Sequence, residues 1–487
     1  MNQAMFETAR RICQRAYDSV KPEGAVSRWV TLAEPNELHI NDRVHDLSKI
    51  NHIYVVGAGK ADLGMTEALH GILGDRITAG FVNVNGLTQA QQAAATDEVL
   101  QTQDEGAVPL FRVGAVQILP ACHLKPNETG VVGVRRMLNL VSDATADDLI
   151  IALISGGGSD LMGCPVEGLT LEEIQLTSAA LKSHKLDIGE VNSVRKHLDA
   201  AKGGKLRAAA RQVGSFVTLA LSDVPVVRSA AGLRFDPPDV IASGPTTGDH
   251  STYADAWEVT KSHELGAIVP VDVLRYLEAG RDGLQTIELK GRVVEVQPEN
   301  PRENDALFSE GPSQFVLVGN NRQAVCGALA EAKGSGFEPL VIDEPMSSEV
   351  GAMAEDILEL IRRRAATEKP LAIIWGGETT VQLGDTKPGI GGRNRHLALL
   401  VAMGLYDMNL GHVVFAAFGT DGADGTPDAA GAVCSAQTIA VGGRDRAEKA
   451  IAEFDSGTFL MALDAQLELP QRTNVADVAV ALIDVKS

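Results

Sequence analysis

The sequence predicts an α/β protein of two domains, the first built on a mostly parallel, doubly wound sheet. Three observations carry this. Apolar runs of strand length alternate with helix-period segments, the pattern of parallel strands joined by crossover helices. Several of these runs end in glycine, and the 49 glycines make up about a tenth of the chain. A length of 487 residues also exceeds what one hydrophobic core normally organises.

Taken in order, Phe6, Ala9, Ile12, Ala16 and Val20 recur at helical spacing, so the chain opens with an amphipathic helix. ELHIN reads as a strand, and HIYVVGAGKADLGMTEALHGIL as strand, glycine turn with Lys60, and helix. FVNVNG is another strand. QILPACHLKPNETGVVGVRRMLNLV gives a short strand, a polar loop with His123 and a helix. DDLIIALISGGGSDLM repeats the step from strand to glycine loop. Residues 170–187 read as a helix, VRKHLDAAKGGKLRAAA as a basic helical stretch, and SFVTLALSDVP as a strand with a polar end. Residues 225–250 read as a loop, and the polar stretch up to 312 as a linker with short helices. QFVLVGNNRQAV then gives strand, Asn320-Asn321 loop and helix. LAIIWGGETT is a buried strand ending in a glycine pair and Glu378, followed by Gly391-Gly392-Arg393-Asn394 and the helical run HLALLVAMGL. A strand with an acidic glycine loop, GHVVFAAFGTDGADG, and Thr473-Asn474-Val475 precede a last apolar segment. The expected domains are 1–255 and 313–487, with 256–312 between them.

Composition narrows the function. The chain is 45% hydrophobic and 22% charged, ordinary for a soluble globular protein. A net charge of −21 argues against nucleic acid as a partner, because phosphate contacts need a basic face. An anionic small substrate would need basic residues gathered locally. Cys13, Cys122, Cys164, Cys326 and Cys434 lack CxxC spacing and read as buried thiols in a reducing compartment. With no apolar signal segment and no run long enough for a membrane span, the expected location is cytoplasmic.

Several stretches suit ligand chemistry. VVGAGKAD has Gly57 and Gly59 of a dinucleotide fingerprint, but Asp62 stands at the third glycine. It is not a Walker A motif either, since Ala61 follows Lys60. What remains is a lysine at a strand end, where α/β sheets bind ligands, against the alternative of a solvated lysine. The loop Ser155, Gly156, Gly157, Gly158, Ser159, Asp160 offers backbone N–H groups that suit phosphate, or a sharp turn for close packing. Arg393 beside a glycine pair suits a carboxylate or phosphate. Asp223 at a strand end, and Asp421 and Asp424 in an acidic loop, are candidates for Mg²⁺, or simple turn residues. Arg195, Lys196, His197, Lys202 and Lys205 form the main basic cluster, either a site or a solvated helix face.

VVGAGKA, ISGGGSDL, NSVRKHLDAAKGGKL, LSDVP, DVIASGPT, WGGETTV, GGRN and FGTDGADGTPDAAGA stand in the order found in the glycerate 2-kinase family, which this chain resembles from about residue 50 to 475. That family has long carried the label hydroxypyruvate reductase and has a C-terminal MOFRL domain. The resemblance implies two α/β domains, the N-terminal one Rossmann-like and the smaller C-terminal one MOFRL-type, with an interdomain cleft. It implies ATP-dependent phosphorylation of D-glycerate at its 2-hydroxyl, with ATP and Mg²⁺ as cofactors and a monomer or homodimer as the working form. By motif, the family's essential lysine and arginine fall on Lys60 and Arg393. The expected roles follow. Lys60 and Arg393 supply positive charge to the phosphoryl group or the glycerate carboxylate. Asp223 or Asp421 holds the metal, with Asp424 beside them, or accepts the hydroxyl proton. Gly57, Gly59, residues 155–160, Asn192, Arg195, Lys196, Asn320, Asn321, Glu378, Asn394, Thr473 and Asn474 cradle substrate or nucleotide. Alternatives are an NAD(P)H-dependent hydroxypyruvate reductase and a non-catalytic sugar-acid-binding relative.

The chain departs from the family pattern where Arg395 and His396 follow GGRN in place of a residue and a glutamate, in VVRSAAGLRF after SDVP, and in ELPQRTNV. Loss of the acid at His396 predicts a more positive site that either holds anionic substrates more tightly or accepts larger sugar acids.

Overall fold

The computed structural model describes residues 3–87, 99–103, 105–184, 186–229, 232–308, 312–384 and 386–485. Its contacts divide the chain into two units. One comprises Ala25–Leu221 and Asp236–Val318; the other comprises Met1–Gly24, Ser222–Phe235 and Gly319–Ser487.

The first unit is built on a seven-stranded sheet. Its strands in chain order are β1 (Ile53–Ala58), β2 (Ile77–Asn85), β3 (Phe111–Val113), β4 (Val116–Ala121), β5 (Leu149–Ser155), β6 (Ser215–Leu221) and β7 (Ser313–Gly319). They lie side by side as β7-β6-β5-β1-β2-β4-β3. From β6 through β4 the neighbours are parallel, and β3 is antiparallel to β4. All seven residues of β5 are buried, as expected of a parallel strand covered on both faces. The chain builds from β1 outward through β2 and β4, then returns to the opposite side of β1 for β5 and β6. The direction of winding therefore reverses between β1 and β5.

The stretch 256–312, expected between domains, contributes to the core of this unit. Helices Tyr253–Ser262 and Val271–Arg281 and a hairpin at Thr286–Leu289 and Arg292–Glu295 bury Tyr253, Tyr276, Leu277 and Val294 with Leu181 and Val194. Polar residues separate these apolar ones in sequence, so the stretch reads as surface although each helix buries one face. The basic stretch also differs from expectation. One helix ends at His197 and a short one resumes at Lys205–Ala209. Between them Gly203 and Gly204 adopt φ of +60° and +80°, which glycine reaches without Cβ strain.

The second unit is built on a six-stranded sheet of β8 (Glu338–Val341), β9 (Leu371–Gly377), β10 (Val413–Gly419), β11 (Gly431–Ser435), β12 (Gln466–Leu467) and β13 (Asp477–Ile483). The order is β8-β9-β13-β10-β11-β12. Strand β13 runs antiparallel to both β9 and β10 and lies between them. Asp477, its first residue, is thereby registered against Gly377 and Gly419, the last residues of those two strands. The helix Arg393–Asp407 buries ten residues, among them Leu397, Val401 and Leu405, in a core with Ile373, Trp375 and Phe415. The opening helix, Gln3–Asp18, also belongs to this unit; Ser19, just beyond it, donates to the Gln323 carbonyl at 3.0 Å. Its periodicity announces a buried face but not which sheet will cover it. Among the described residues, no helix is long and apolar enough to cross a membrane.

Candidate active site

Open α/β sheets bind ligands beyond the carboxyl ends of their strands, where the winding reverses. In the first unit that point lies between β1 and β5. The loops leaving these strands carry Lys60 and the triple glycine, and they are stitched together. The Lys60 N–H donates to Gly156 O at 2.8 Å, and the Ala61 N–H to Ser155 Oγ at 3.1 Å. The Ser155 hydroxyl in turn donates to the Asp62 carboxylate. A side chain at Gly59 would collide with Ser155 and Asp62, so glycine serves the approach of the two loops there. Gly157, with φ +81°, leaves room for the Lys60 side chain and the His123 ring, each of which would press on any Cβ at that position.

Asp62 occupies the place of a fingerprint's third glycine, but it is fully buried and begins the helix Asp62–Leu73. Burial pushes its carboxyl up to about 7, against the Ser155 hydrogen bond, and among the described residues its second oxygen has no hydrogen-bond partner. No signal beyond the broken fingerprint marks Asp62 in the sequence.

Ser159 is held by a chain of hydroxyl and amide groups. Its Oγ lies 2.9 Å from Ser243 Oγ, which donates to Asn192 Oδ1 at 2.9 Å. Ala242 and Ser243 both adopt left-handed backbone, with φ of 51° and 61°, an arrangement that costs energy in non-glycine residues and concentrates at functional sites. Among the described residues, Asn192 Nδ2 and Arg195 Nη2 are buried without a hydrogen-bond partner, and Arg195 lies at a long 3.7 Å from Asp160. These two expected binding residues thus retain donor capacity beside the glycine loop. Ser243 lies in the stretch DVIASGPT, whose chemistry gives no hint of this relay.

The rest of the basic cluster has another fate. Lys196 is buried and donates to Asp249 Oδ1 at 2.9 Å, while Asn300 donates to the other oxygen at 2.7 Å. Lys202 pairs with Asp199, and Lys205 donates to the Lys196 and Asp199 carbonyls. Burial lowers the Lys205 ammonium to about 8. These lysines brace the fold, and neither reading of the cluster, as a ligand site or as a solvated face, describes them.

In the second unit, carboxylates gather at one end of the sheet. Arg393 begins its helix after Gly392, whose φ is +151°. Its Nε and Nη2 bond both oxygens of Asp477 at 2.5 and 2.9 Å, and its Nη1 lies 2.6 Å from Glu378 Oε1. Asp477 is 1% exposed, whereas 43% of the Glu378 side chain is exposed. Packing, and then Asp477, Asp223 and Asp421, raise the Glu378 carboxyl above its ordinary value against the pull of Arg393. Since water reaches Glu378, the crowding of like charges is the cause that survives its exposure. The Asp223 carboxylate accepts a 3.2 Å bond from Asn474 Nδ2, and Asp421 Oδ1 accepts one from Ala423 N–H at 3.2 Å.

Several expected contacts in this unit are internal instead. Asp424 Oδ1 accepts the Asn394 N–H at 2.9 Å and Oδ2 the Arg395 N–H at 2.7 Å, so the carboxylate caps the helix and does not face a metal. Asn394 is buried in that cap. Asn321 donates to the Val475 and Asp477 carbonyls, both at 2.8 Å, and Thr473 to the Val20 carbonyl at 2.8 Å. The Asn320 side chain accepts the Gln323 N–H as a helix cap. Among the described residues, no three His, Cys, Asp or Glu side chains are grouped to hold a metal ion by themselves.

The model of a domain of unknown function, DUF4147, matches residues 8–278, and the MOFRL family model matches residues 371–477. The chain is 32% identical to the D-glycerate 2-kinase of Thermotoga maritima, with 99% of each chain covered. It is 30% identical to a putative hydroxypyruvate reductase of Agrobacterium vitis, covering 98% of this chain and 95% of that one. A crystal structure of a glycerate kinase from Thermotoga maritima superposes with a TM-score of 0.71 at 28% identity, covering 99% of this chain and all of the other. By its two domain matches and by identity along nearly its whole length, the chain belongs to the glycerate 2-kinase family.

Proposed function

We propose that the protein is a kinase that transfers the γ-phosphoryl group of ATP to the 2-hydroxyl of D-glycerate, releasing 2-phosphoglycerate and ADP. The observation that carries this reading is the stitched pair of loops bearing Lys60 and the triple glycine at the reversal of the first sheet. Phosphoryl transfer needs positioning and charge stabilisation more than covalent chemistry. Lys60 supplies a cation at a strand end, and Asn192 and Arg195 supply donors for an oxyanion near the glycine loop. Arg393 holds Glu378 and Asp477 in fixed places and adds positive charge to an acidic set.

The donors also fit a divalent ion carried with the nucleotide. Mg²⁺ takes hard oxygen ligands and commonly uses one or two protein carboxylates together with phosphates and water. Asp223 and Asp421 have that chemistry, and Asp424 is taken by its helix cap. When bound, the ion would neutralise charge on the phosphates. Asp223, oriented by Asn474, is the residue we assign to the substrate hydroxyl proton.

The reductase reading lacks support in the residues. Gly59 serves loop packing, Asp62 is buried at the third glycine position, and the strand that should end in a ribose-binding acid ends at Asn85. The deciding experiment measures ADP release with D-glycerate and ATP beside NADH oxidation with hydroxypyruvate, with NMR of the phosphorylated product. Robust NADH oxidation without ADP release would overturn the kinase reading, and 3-phosphoglycerate as product would overturn the assignment of the 2-hydroxyl.

A further inference from the structure

In the second unit a cavity of about 270 Å³ lies beside Arg393. Its walls are Val381, Leu383, Pro388, His396 and Phe454, and four of its eleven lining residues are glycines. It is slightly smaller than the roughly 300–1,000 Å³ of drug-sized sites, so it suits a bicyclic ring system better than a whole nucleotide.

The slot is held in shape. The His396 ring is 6% exposed and stacks on Phe454 with centroids 5.2 Å apart and planes 29° apart. His396 Nδ1 is fixed 2.9 Å from Ser456 Oγ. The glycine-rich wall is pinned from behind. The Ile390 N–H donates to Asp455 Oδ1 at 2.7 Å, the Gly389 N–H to Glu453 O at 3.1 Å, and the Gly457 N–H to Ile390 O at 2.8 Å. Leu383 remains 38% exposed and Ile390 41%, so apolar surface stays uncovered at this place.

We propose that this slot takes the purine base of the nucleotide. The inference rests on the kinase reading, which supplies the nucleotide. A flat aromatic ligand finds apolar walls and an aromatic pair against which to stack. Arg393 also lines the slot, its guanidinium engaged by Asp477 and Glu378. An acyl chain would meet that guanidinium with no charge to offer, and glycerate alone has no apolar surface to bury here.

The test is photolabelling of the intact protein with 8-azido-ATP in the presence of Mg²⁺, followed by peptide mapping. Label on peptides containing 381–396 or Phe454, suppressed by ATP and not by glycerate, is the expected result. Label confined to other peptides would overturn the proposal. Leu383→Trp, at an exposed position that tolerates a large side chain, should raise the KM for ATP about tenfold or more and leave the KM for glycerate within twofold. Unchanged KM for ATP, or equal rises for both substrates, would also overturn it. If no ADP is released with glycerate, the kinase reading fails, while the labelling pattern still decides whether a base occupies the slot.

Discussion

Arg393→Lys separates charge from geometry. A simple charge argument makes it nearly neutral, because the ammonium keeps the positive charge. The structure argues otherwise. Three guanidinium nitrogens face three carboxylate oxygens, two on Asp477 and one on Glu378. A lysine ammonium on a flexible stem cannot span both acids at these distances, so at least one Asp477 contact and the Glu378 contact are lost together. A hydrogen bond to a charged partner contributes about 1.5–3 kcal/mol. The Glu378 contact is discounted, since 43% of that side chain and 33% of the arginine side chain are exposed. Asp477, 1% exposed, keeps nearly its full penalty. The expected loss is therefore roughly 2–3 kcal/mol. Complete removal in Arg393→Ala should approach the roughly 3–5 kcal/mol of a broken buried pair. Urea unfolding measures this directly. Misplacement of Glu378 and Asp477 should also reduce kcat/KM by about a hundredfold, since a factor of ten corresponds to about 1.4 kcal/mol. A lysine variant within twofold of the parent in kcat/KM and within 0.5 kcal/mol in stability, about the scatter of a neutral surface substitution, would refute the geometric argument.

Lys60→Ala should lower turnover by about two orders of magnitude while leaving the melting temperature nearly unchanged, because removal of a cation from a developing phosphate charge costs a few kcal/mol; near-parent turnover would make Lys60 a bystander. Asp223→Asn and Asp421→Asn should raise the Mg²⁺ concentration for half-maximal activity unequally, with the larger shift marking the ligand, and equal Mg²⁺ curves for both variants and the parent would remove both from the metal. Asp62→Asn should flatten the pH dependence of stability. Its folded carboxyl titrates near 7 and its unfolded one near 3.8, so the folded state holds the extra proton between these values and stability falls as pH rises through that window. Melting temperatures from about pH 4.5 to 8 with the same slope in variant and parent would dismiss that assignment.

The features of the candidate site that are legible in the sequence are those whose cause is local. The runs of β1 and β5 announce buried strands, and their glycines announce the loops, because a strand end and a tight turn are written within ten residues or so. Lys60 and Ser159 follow from that. Lys196 does not. A charge run on a helix looks the same whether its partners are water or a buried carboxylate, and here the partner, Asp249, comes from more than fifty residues away. Asp477 was missed because its importance arises from the antiparallel insertion of β13 between β9 and β10, a pairing that no local pattern encodes. Asp424 was legible as an acid in a glycine loop. That its two oxygens would be taken by the amides of Asn394 and Arg395 was not.

The departure from the family pattern after GGRN gains a different meaning in the structure. Its expected effect was electrostatic: an acid replaced by a histidine would leave the site more positive and more attractive to anions. The geometry gives each of the two residues a structural setting. Arg395 is fully buried, and its Nη2 donates to the carbonyls of Gly391 and Asp424 and to Thr426 Oγ1. Its charge is directed into the loops that shape the glycine turn and is not presented to a substrate. His396 is buried too, and burial, against the pull of Glu349, holds its pKa below the ordinary histidine value and so disfavours the charged ring. What the position contributes is a flat ring fixed between Phe454 and Ser456. A glutamate there would need either a proton or a new cation to tolerate the same burial. The substitution pair therefore exchanges an ionic environment for an aromatic one, and its consequence belongs with whatever packs against that ring.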